Sequence, residues 1–210
     1  MRKIEDKKEL MKLCSFIVMG DGGVYKYNGN KECSFVMNMI ADNEDYVLLC
    51  RDILENITTC RIVLVEKEGN RKPQLRLTSK GHPFFTKLRE RIYLDKYKSI
   101  DQHALKLLDY EALSFLYMSD GSLVMKKGKY PTVTLNLKRL SYGDLYFLKK
   151  ALKDKLDLEW NINKNYPYFY LNLRSKDIPK FMSNIRQYIT PSFMYKILDE
   201  VPSNKNEVVI

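Results

Sequence analysis

The sequence predicts an α+β fold of two pseudo-symmetric units, each with the element order αββαββα. Three observations predict it: an internal repeat, apolar residues at helical spacing that end at Asp-Gly in both copies, and alternating stretches typical of half-buried strands. The 210 residues are enough for two small domains with their own cores. We expect units at 1–98 and 109–200, a linker at 99–108 and a tail at 201–210.

The repeat is carried by segments that match in the same order along the chain. Residues 13–22 read Leu-Cys-Ser-Phe-Ile-Val-Met-Gly-Asp-Gly, and residues 112–121 read Ala-Leu-Ser-Phe-Leu-Tyr-Met-Ser-Asp-Gly; we refer to them as the signature segments. Residues 75–80 (Leu-Arg-Leu-Thr-Ser-Lys) correspond to residues 171–176 (Leu-Asn-Leu-Arg-Ser-Lys). The offset stays between 96 and 99 residues, which indicates a duplicated unit.

Helical periodicity marks three segments in each unit. The predicted helices cover 8–20, 42–55 and 82–93 in the first unit and 106–119, 141–155 and 177–190 in the second. The first helix of each unit ends at its Asp-Gly pair, where glycine can terminate a helix. Residues 94–109 therefore link the two units.

Alternation of apolar and polar residues predicts two pairs of strands in each unit. Leu75 and Leu77 point to one side of a strand, and Arg76 and Thr78 point to the other. One face of each sheet is thus apolar and can pack on helices. The polar face is either the solvated side of an antiparallel sheet or a surface that binds base edges and phosphates. We favour binding because this face lacks acidic residues and recurs in both units.

The chain is basic, with 36 Lys and Arg against 26 Asp and Glu, a net charge of +10. Residues 1–105 carry 19 basic and 15 acidic groups (+4), and residues 106–210 carry 17 and 11 (+6). The excess is therefore spread over both halves rather than held in a tail. A small folded protein with this charge often meets a polyanion.

The composition excludes several classes of protein. No apolar run approaches the roughly 18–20 residues of a transmembrane helix, and residues 1–12 are charged, so we expect no secretory signal. The four cysteines predict reduced, mostly buried thiols, and two histidines exclude His-rich zinc sites. We expect a protein that is intracellular and not secreted, in the cytoplasm of a bacterium or phage-infected cell or in an organelle matrix, with no membrane partner.

Asp21 and Asp120 occupy equivalent positions in the two signature segments, each directly before a glycine. A carboxylate there faces the negative end of the helix dipole, which is unfavourable unless a cation compensates. Asp-Gly often does no more than open a turn, but its recurrence in both units favours a functional role. If the two helices pack about a pseudo-twofold axis, the carboxylates converge. Such a pair can hold Mg²⁺ and activate water against a phosphodiester.

Residues 15–23 (Ser-Phe-Ile-Val-Met-Gly-Asp-Gly-Gly) and 114–122 (Ser-Phe-Leu-Tyr-Met-Ser-Asp-Gly-Ser), which overlap the signature segments, resemble the two signature helices of the LAGLIDADG homing endonucleases. The second unit is similar to the branch of the monomeric yeast mitochondrial intron-encoded endonuclease at 118–121 (Met-Ser-Asp-Gly), 162–165 (Ile-Asn-Lys-Asn) and 194–197 (Met-Tyr-Lys-Ile). The resemblance implies a saddle of two αββαββα units that grips double-stranded DNA. It also implies cleavage of both strands across the minor groove, leaving short 3′ overhangs.

Carried over by position, the resemblance implies a metal site in this sequence. Asp21 and Asp120 would be the metal-binding acids, and the carbonyls of Gly20 and Ser119 would add ligands. The implied cofactor is Mg²⁺, for which Mn²⁺ or Ca²⁺ can substitute in the site.

The resemblance implies two basic catalytic residues as well. Lys98 and Lys196, each preceded by tyrosine, match basic residues that lie near the scissile phosphates in that branch. Their implied roles are orienting the water network or stabilising the developing phosphate charge. A solvated surface charge is the alternative for each.

Strand parity predicts the DNA contacts. In the first unit they are Tyr25, Tyr27, Ser34, Asn38, Arg61, Arg76 and Thr78. In the second unit they are Lys126, Lys127, Thr132, Thr134, Asn136, Asn161, Asn163, Tyr168, Tyr170, Asn172 and Arg174. The loops at 25–32 and 125–130 are expected to follow the DNA backbone.

Our leading hypothesis is a sequence-specific, Mg²⁺-dependent double-strand DNA endonuclease that works as a monomer on a long, non-palindromic site. The alternatives within the fold are an RNA maturase that assists splicing of its own intron and a non-catalytic DNA-binding regulator. The regulator predicts that at least one acid is lost, whereas both Asp21 and Asp120 are present. We do not expect an intein, since the sequence has no terminal splice residues.

Overall fold

The chain divides into two compact units in the computed structural model, which describes residues 3–66, 69, 72–127 and 129–198. The first unit holds the described residues up to Leu107 together with Thr190–Ser192, and the second holds Leu108–Ile189 and the residues from Phe193 onward. The predicted tail at 201–210 lies outside the described residues. The predicted domain boundaries remain predictions.

The first unit contains a four-stranded antiparallel sheet of order β1-β2-β4-β3 covered by helices. Its elements are α1 (Lys7–Met19), β1 (Gly23–Tyr25), β2 (Ser34–Ile40), α2 (Glu44–Leu54), β3 (Cys60–Val65), β4 (Gln74–Ser79), α3 (Pro83–Ile92), β5 (Tyr93–Leu94), β6 (Tyr97–Lys98) and α4 (Gln102–Leu105). Asp6 starts α1 because its carboxylate accepts the Lys8 amide at 2.8 Å. Pro83 sits in the first turn of α3, where its missing N–H costs nothing.

The second unit repeats this strand order as β7-β8-β10-β9, also antiparallel. Its elements are α5 (Tyr110–Asp120), β7 (Gly121–Lys126), β8 (Lys129–Leu135), α6 (Tyr142–Leu156), β9 (Trp160–Asn165), β10 (Tyr168–Leu173) and α7 (Ile178–Ile185). A 3₁₀ helix (Pro191–Lys196) follows, and its residues from Phe193 onward belong to this unit. Ser141 and Asp144 form a reciprocal capping box at the start of α6. The predicted mixed fold of two repeated units is confirmed.

Each sheet has an inner face against the helices and an outer face, as the alternation predicts. In the first unit Phe35, Met37 and Leu77 are at most 1% exposed, whereas Asn38 and Arg76 between them are exposed. Burying one such apolar side chain contributes roughly 1.5–3 kcal/mol. The inner faces therefore hold the cores, and the outer faces remain available for binding.

Element boundaries differ from the sequence expectation where aspartates start new helices. Asp109 accepts the Ala112 amide at 2.8 Å, so α5 begins after it rather than at 106. Asp101 accepts the amides of His103 and Ala104 and starts α4 inside the expected linker. The last predicted helix, 177–190, is interrupted: α7 ends at Ile185 and a 3₁₀ turn follows.

All four cysteines are free. Three of them are buried and Cys60 is half-buried. Burial raises the pKa of the Cys14 and Cys50 thiols, so both stay protonated and unreactive. Within the described part of the chain, no helix is both long and apolar enough to cross a membrane.

Candidate metal centre and nucleic-acid interface

The two signature helices, α1 and α5, end differently around their aspartates. Helix α1 ends at Met19, so Asp21 follows the helix and is exposed. The amides of Gly20 and Gly22 close the helix end on the Phe16 and Ile17 carbonyls at 3.1 and 2.9 Å. Helix α5 instead includes Asp120, which is half-buried, as its last residue.

The glycines after the aspartates are required by close approach, not by a left-handed cap. Gly121 has φ −79° and ψ 151°, an extended conformation that any residue can adopt. A Cβ atom on Gly121 would lie 2.3 Å from the Tyr117 carbonyl oxygen, and one on Gly22 would lie 2.9 Å from that of Ile17. Glycine therefore follows each signature helix where the sequence predicts it, but the reason is that a side chain there would clash with a helix carbonyl.

Lys98 is buried against the end of α1. Its Nζ donates to the carbonyls of Gly20 and Gly22 at 2.8 and 2.7 Å, on either side of Asp21. Only 8% of Lys98 is exposed, which rules out a solvated surface charge. The cation also lies at the negative end of the helix dipole, where it is stabilising.

Lys196 is buried against the end of α5 in a related but different way. Its Nζ donates to the Met118 and Tyr117 carbonyls at 2.6 and 3.3 Å and lies 4.9 Å from the centre of the Phe193 ring. The Tyr117 hydroxyl in turn donates to the Lys196 carbonyl at 2.7 Å. Burial raises the pKa of Tyr117, which keeps this donor protonated. With 6% exposure, Lys196 is not a surface charge either.

Asn136 lies beside the end of α5 rather than on the strand face. It follows β8, and its backbone amide donates to the Asp120 carbonyl at 2.8 Å while its side-chain amide donates to Thr134 Oγ1 at 3.1 Å. Asn136 therefore fixes the position of the aspartate backbone. Its predicted DNA contact remains a prediction.

The helix ends offer oxygen atoms that can act as ligands of a hard divalent cation. Carboxylates and backbone carbonyls are the ligands that Mg²⁺ and Ca²⁺ prefer. The Gly20 carbonyl already accepts from Lys98, but a carbonyl has a second lone pair. The described residues contain no cluster of three or more His, Cys, Asp or Glu that could hold a metal.

The outer face of the first unit collects most of its predicted DNA contacts. Register pairs Asn38 with Arg76 and Thr78 with Arg61, so these four residues share one surface. Ser34 opens β2 on the same side but is 7% exposed. Tyr25 and Tyr27 are exposed, on β1 and just beyond it.

The outer face of the second unit is mostly uncharged. The register of β8, β10 and β9 aligns Thr134, Asn172 and Asn161 in one row. It places Asn163 on β9 opposite Tyr170 on β10 in the next row. The other predicted contacts on this side are Thr132 and Tyr168, both exposed. Thr134 is 9% exposed and its hydroxyl pairs with that of Ser122 at 3.1 Å. Lys126 and Lys127 are exposed at the end of β7.

Arg174 lies at the edge of the second outer face, and its charge is already paired. Its guanidinium binds Glu159, which also pairs with Lys153 and Lys176. The sequence expectation that this face lacks acids is therefore wrong at this edge. The predicted DNA contact of Arg174 remains a prediction.

Sequence reasoning missed three residues on the outer faces. Gln74 follows the parity of Arg76, Asn165 follows that of Asn163, and Ser122 faces Thr134 across β7 and β8. Extending each alternation to the ends of the strands finds the first two. Ser122 depends on the β7–β8 register, which no local pattern of residues specifies.

Comparison with known proteins supports this assignment of the elements. A family model described as the LAGLIDADG DNA endonuclease family matches residues 17–181. The homing endonuclease I-WcaI, solved bound to its DNA recognition sequence, is 19% identical over 96% of this chain and 90% of that chain, with a TM-score of 0.78. I-DmoI in complex with DNA and Mn is 19% identical over 86% and 97%, with a TM-score of 0.56.

A third similar structure is the N-terminal LAGLIDADG domain of DUF199/WhiA, 16% identical over 88% of this chain and 86% of that chain, with a TM-score of 0.54. I-DmoI has also been solved in complex with DNA and Ca. These likenesses show the fold. The resemblance to the yeast mitochondrial branch remains a prediction.

Proposed function

Because the chain belongs to the LAGLIDADG DNA endonuclease family, we propose that it is a sequence-specific, Mg²⁺-dependent endonuclease that hydrolyses both strands of a long DNA site. One observation carries the proposal. An aspartate lies at or just beyond the end of each signature helix, and a buried lysine donates to backbone carbonyls at both ends.

Asp21 and Asp120 are the proposed ligands of Mg²⁺, and the carbonyl oxygens of Gly20 and Ser119 are proposed as further ligands. When bound, the cation supplies charge stabilisation at the phosphodiester and favours deprotonation of water. The chain's own contribution is to hold the two carboxylates at fixed helix ends. Gly22 and Gly121 do this by letting the following strand pass within contact distance of the helix carbonyls.

We assign Lys98 and Lys196 a positioning role within this site. Their hydrogen bonds fix the carbonyls that flank or precede each aspartate, which limits where the carboxylates can lie. Fixed geometry of this kind contributes strongly to rate, since a displacement of about 1 Å can cost roughly a hundredfold. Direct stabilisation of phosphate charge is the alternative role, and the two are separable by experiment.

The outer faces of the sheets are the proposed DNA-binding surface, with base edges read in the major groove and cleavage across the minor groove leaving 3′ overhangs. The basic excess then serves phosphate contacts, so binding should weaken steeply with salt. The two faces differ at equivalent positions, with Arg76 on β4 and Asn172 on β10. The site should accordingly be non-palindromic, and one chain should suffice as a monomer.

The test is cleavage of a randomised duplex DNA library by the full chain with Mg²⁺, repeated with EDTA. We expect cutting at a unique long site that is lost in EDTA and in each of Asp21→Asn and Asp120→Asn. Asp154→Asn, which changes an exposed aspartate of α6, is the matched control and should cut normally. Undiminished cutting by either helix-end variant would remove the proposed metal role. Tight binding of one site without cutting in Mg²⁺ or Mn²⁺ would indicate a DNA-binding regulator instead.

A further inference from the structure

Arg76 is held in a defined orientation on the outer face of the first unit. Its Nε donates to the Asn38 side-chain oxygen at 2.9 Å, across the β2–β4 register that pairs these two residues. Both side chains are exposed. The neighbour on the other side is Val63 on β3, which has no side-chain hydrogen-bonding group. One polar partner therefore holds the guanidinium, through the one nitrogen that is not at its forked end.

The forked end of Arg76 remains available. Within the described residues, its terminal nitrogens make no hydrogen bond and no ion pair, in contrast to Arg174, whose guanidinium binds Glu159. A guanidinium fork matches the O6 and N7 acceptors of guanine in the major groove, and such a bidentate contact is the commonest specific one. Orientation in advance reduces the entropy lost on binding.

From this arrangement we infer that Arg76 reads a guanine in the half-site bound by the first unit and that Asn38 is its positioning residue. The inference rests on the proposed function and adds the base class that one position recognises. At the equivalent row of the second unit, Thr134, Asn172 and Asn161 carry no charge. That row offers amide and hydroxyl groups, which do not match guanine in this way.

The experiment selects bound sequences from a randomised duplex library without divalent metal and repeats the selection with variants. Wild type should enrich a long site with a guanine at one base pair where Arg76→Ala loses that preference by about ten- to a hundredfold and leaves the other positions unchanged. Arg76→Gln should move the preference at that base pair towards adenine, because an amide pairs with adenine N6 and N7.

Two further variants separate base reading from simple charge. Asn38→Ala should weaken the guanine preference at the same base pair by several-fold, with little change elsewhere. Lys87→Ala removes an equal charge from an exposed position on helix α3, and it should leave this preference intact. Circular dichroism of each variant checks that the fold is retained.

The outcomes distinguish the inference from the proposed function. If wild type enriches one site and Arg76→Ala keeps every base preference within about twofold of wild type, the guanine assignment is overturned while the endonuclease proposal stands. A uniform loss over all positions would make Arg76 a phosphate contact and would also overturn it. If no sequence is enriched at all, both proposals fail together.

Discussion

The first unit brings Lys98 to the end of its signature helix on the two-residue strand β6, whereas the second unit brings Lys196 there on a 3₁₀ helix. Lys98 binds the carbonyls on either side of Asp21, and Lys196 binds carbonyls two and three residues before Asp120. A duplicated sequence has thus kept the interaction of a buried ammonium with the helix end while changing the element that supplies it. The difference predicts unequal roles for the two lysines.

The outer faces differ as well. The first carries Arg61 and Arg76 among aliphatic side chains such as Val63, and the second carries asparagine, threonine and tyrosine. Both sheets have the same strand order, and the difference in hydrogen-bonding groups comes from their side chains. A shared scaffold with different outer faces is what reading two unlike half-sites requires.

The largest expected effect is on cleavage by lysine variants. Lys98→Met should slow cleavage by about a hundredfold because it releases the backbone around Asp21, and Lys196→Met should slow it by about tenfold because its carbonyl partners lie farther from Asp120. Single-turnover rates on a selected DNA site give the comparison, with dissociation constants measured in parallel.

The control for this pair is Lys126→Met, which removes an exposed lysine at the end of β7. It should weaken binding modestly and leave the single-turnover rate unchanged. Equal losses in rate and binding for Lys98→Met and Lys196→Met would instead make them phosphate contacts. Identical rate losses in the two would remove the proposed inequality between the units.

A second contrast concerns the glycines that follow the aspartates. Gly121→Ala should lower the free energy of unfolding by about 3 kcal/mol, because the new Cβ would meet the Tyr117 carbonyl at 2.3 Å. Gly22→Ala should cost less, about 1–2 kcal/mol, since its nearest backbone contact, the Ile17 carbonyl oxygen, is farther away at 2.9 Å. Urea unfolding monitored by circular dichroism measures both.

Gly143→Ala is the matched control for the glycine variants. Gly143 lies in the first turn of α6, and a Cβ there would find only the Ser141 hydroxyl, at 3.7 Å. The substitution should raise stability by roughly 0.5–1 kcal/mol, since alanine loses less entropy in a helix. A larger loss for Gly22→Ala than for Gly121→Ala would contradict the steric ranking.

A smaller effect on stability is expected from Asp45 in the first turn of α2, which we compare with Asp144 in the first turn of α6. Asp45 accepts the Ser192 amide and hydroxyl at 2.7 and 2.6 Å, whereas Asp144 accepts from Ser141 of its own helix. Burial acts to raise the pKa of Asp45, but its hydrogen bonds from Ser192, Tyr46 and Thr190 outweigh burial and hold the pKa below its ordinary value. Its stabilising contribution is therefore complete above the unfolded pKa and is lost as pH falls through the folded value.

Asp45→Asn should lower stability by about 0.5–1 kcal/mol at neutral pH, a modest value because solvent screens this partly exposed carboxylate. The difference from wild type should shrink below about pH 4. Unfolding free energies measured across acidic and neutral pH check this. A gap that stays constant with pH would show that the charge of Asp45 is irrelevant.

The smallest expected effect is on the rate of thiol labelling. This rate reports on the first unit alone because all four cysteines lie there. Burial raises the pKa of Cys60 to about 12, so native protein should label very slowly at neutral pH. Lys98→Met should speed labelling by loosening that unit, and Lys196→Met should leave the rate near that of wild type. Equal acceleration by both would show that the units do not open independently.

Strand parity and the signature helices were predictable because they depend on local periodicity. Leu77 is buried and Arg76 exposed as alternation requires, and both aspartates lie at helix ends. The early end of α7 and the ribbon of β5 and β6 were not predictable. They are set by tertiary contacts that override weak helix propensity in short segments.

The sequence by itself determined the duplication, the strand faces and the position of Asp21 and Asp120. The reason is that the periods of 2 and 3.6 residues depend on residues that are close together in the sequence. Only the tertiary structure decided that Lys98 and Lys196 are buried donors, that Arg174 is paired with Glu159, and that Asn38 holds Arg76. Each of these contacts joins residues far apart in the chain. A hydrogen bond at 2.8 Å depends on how elements pack, and no local pattern of residues specifies that distance.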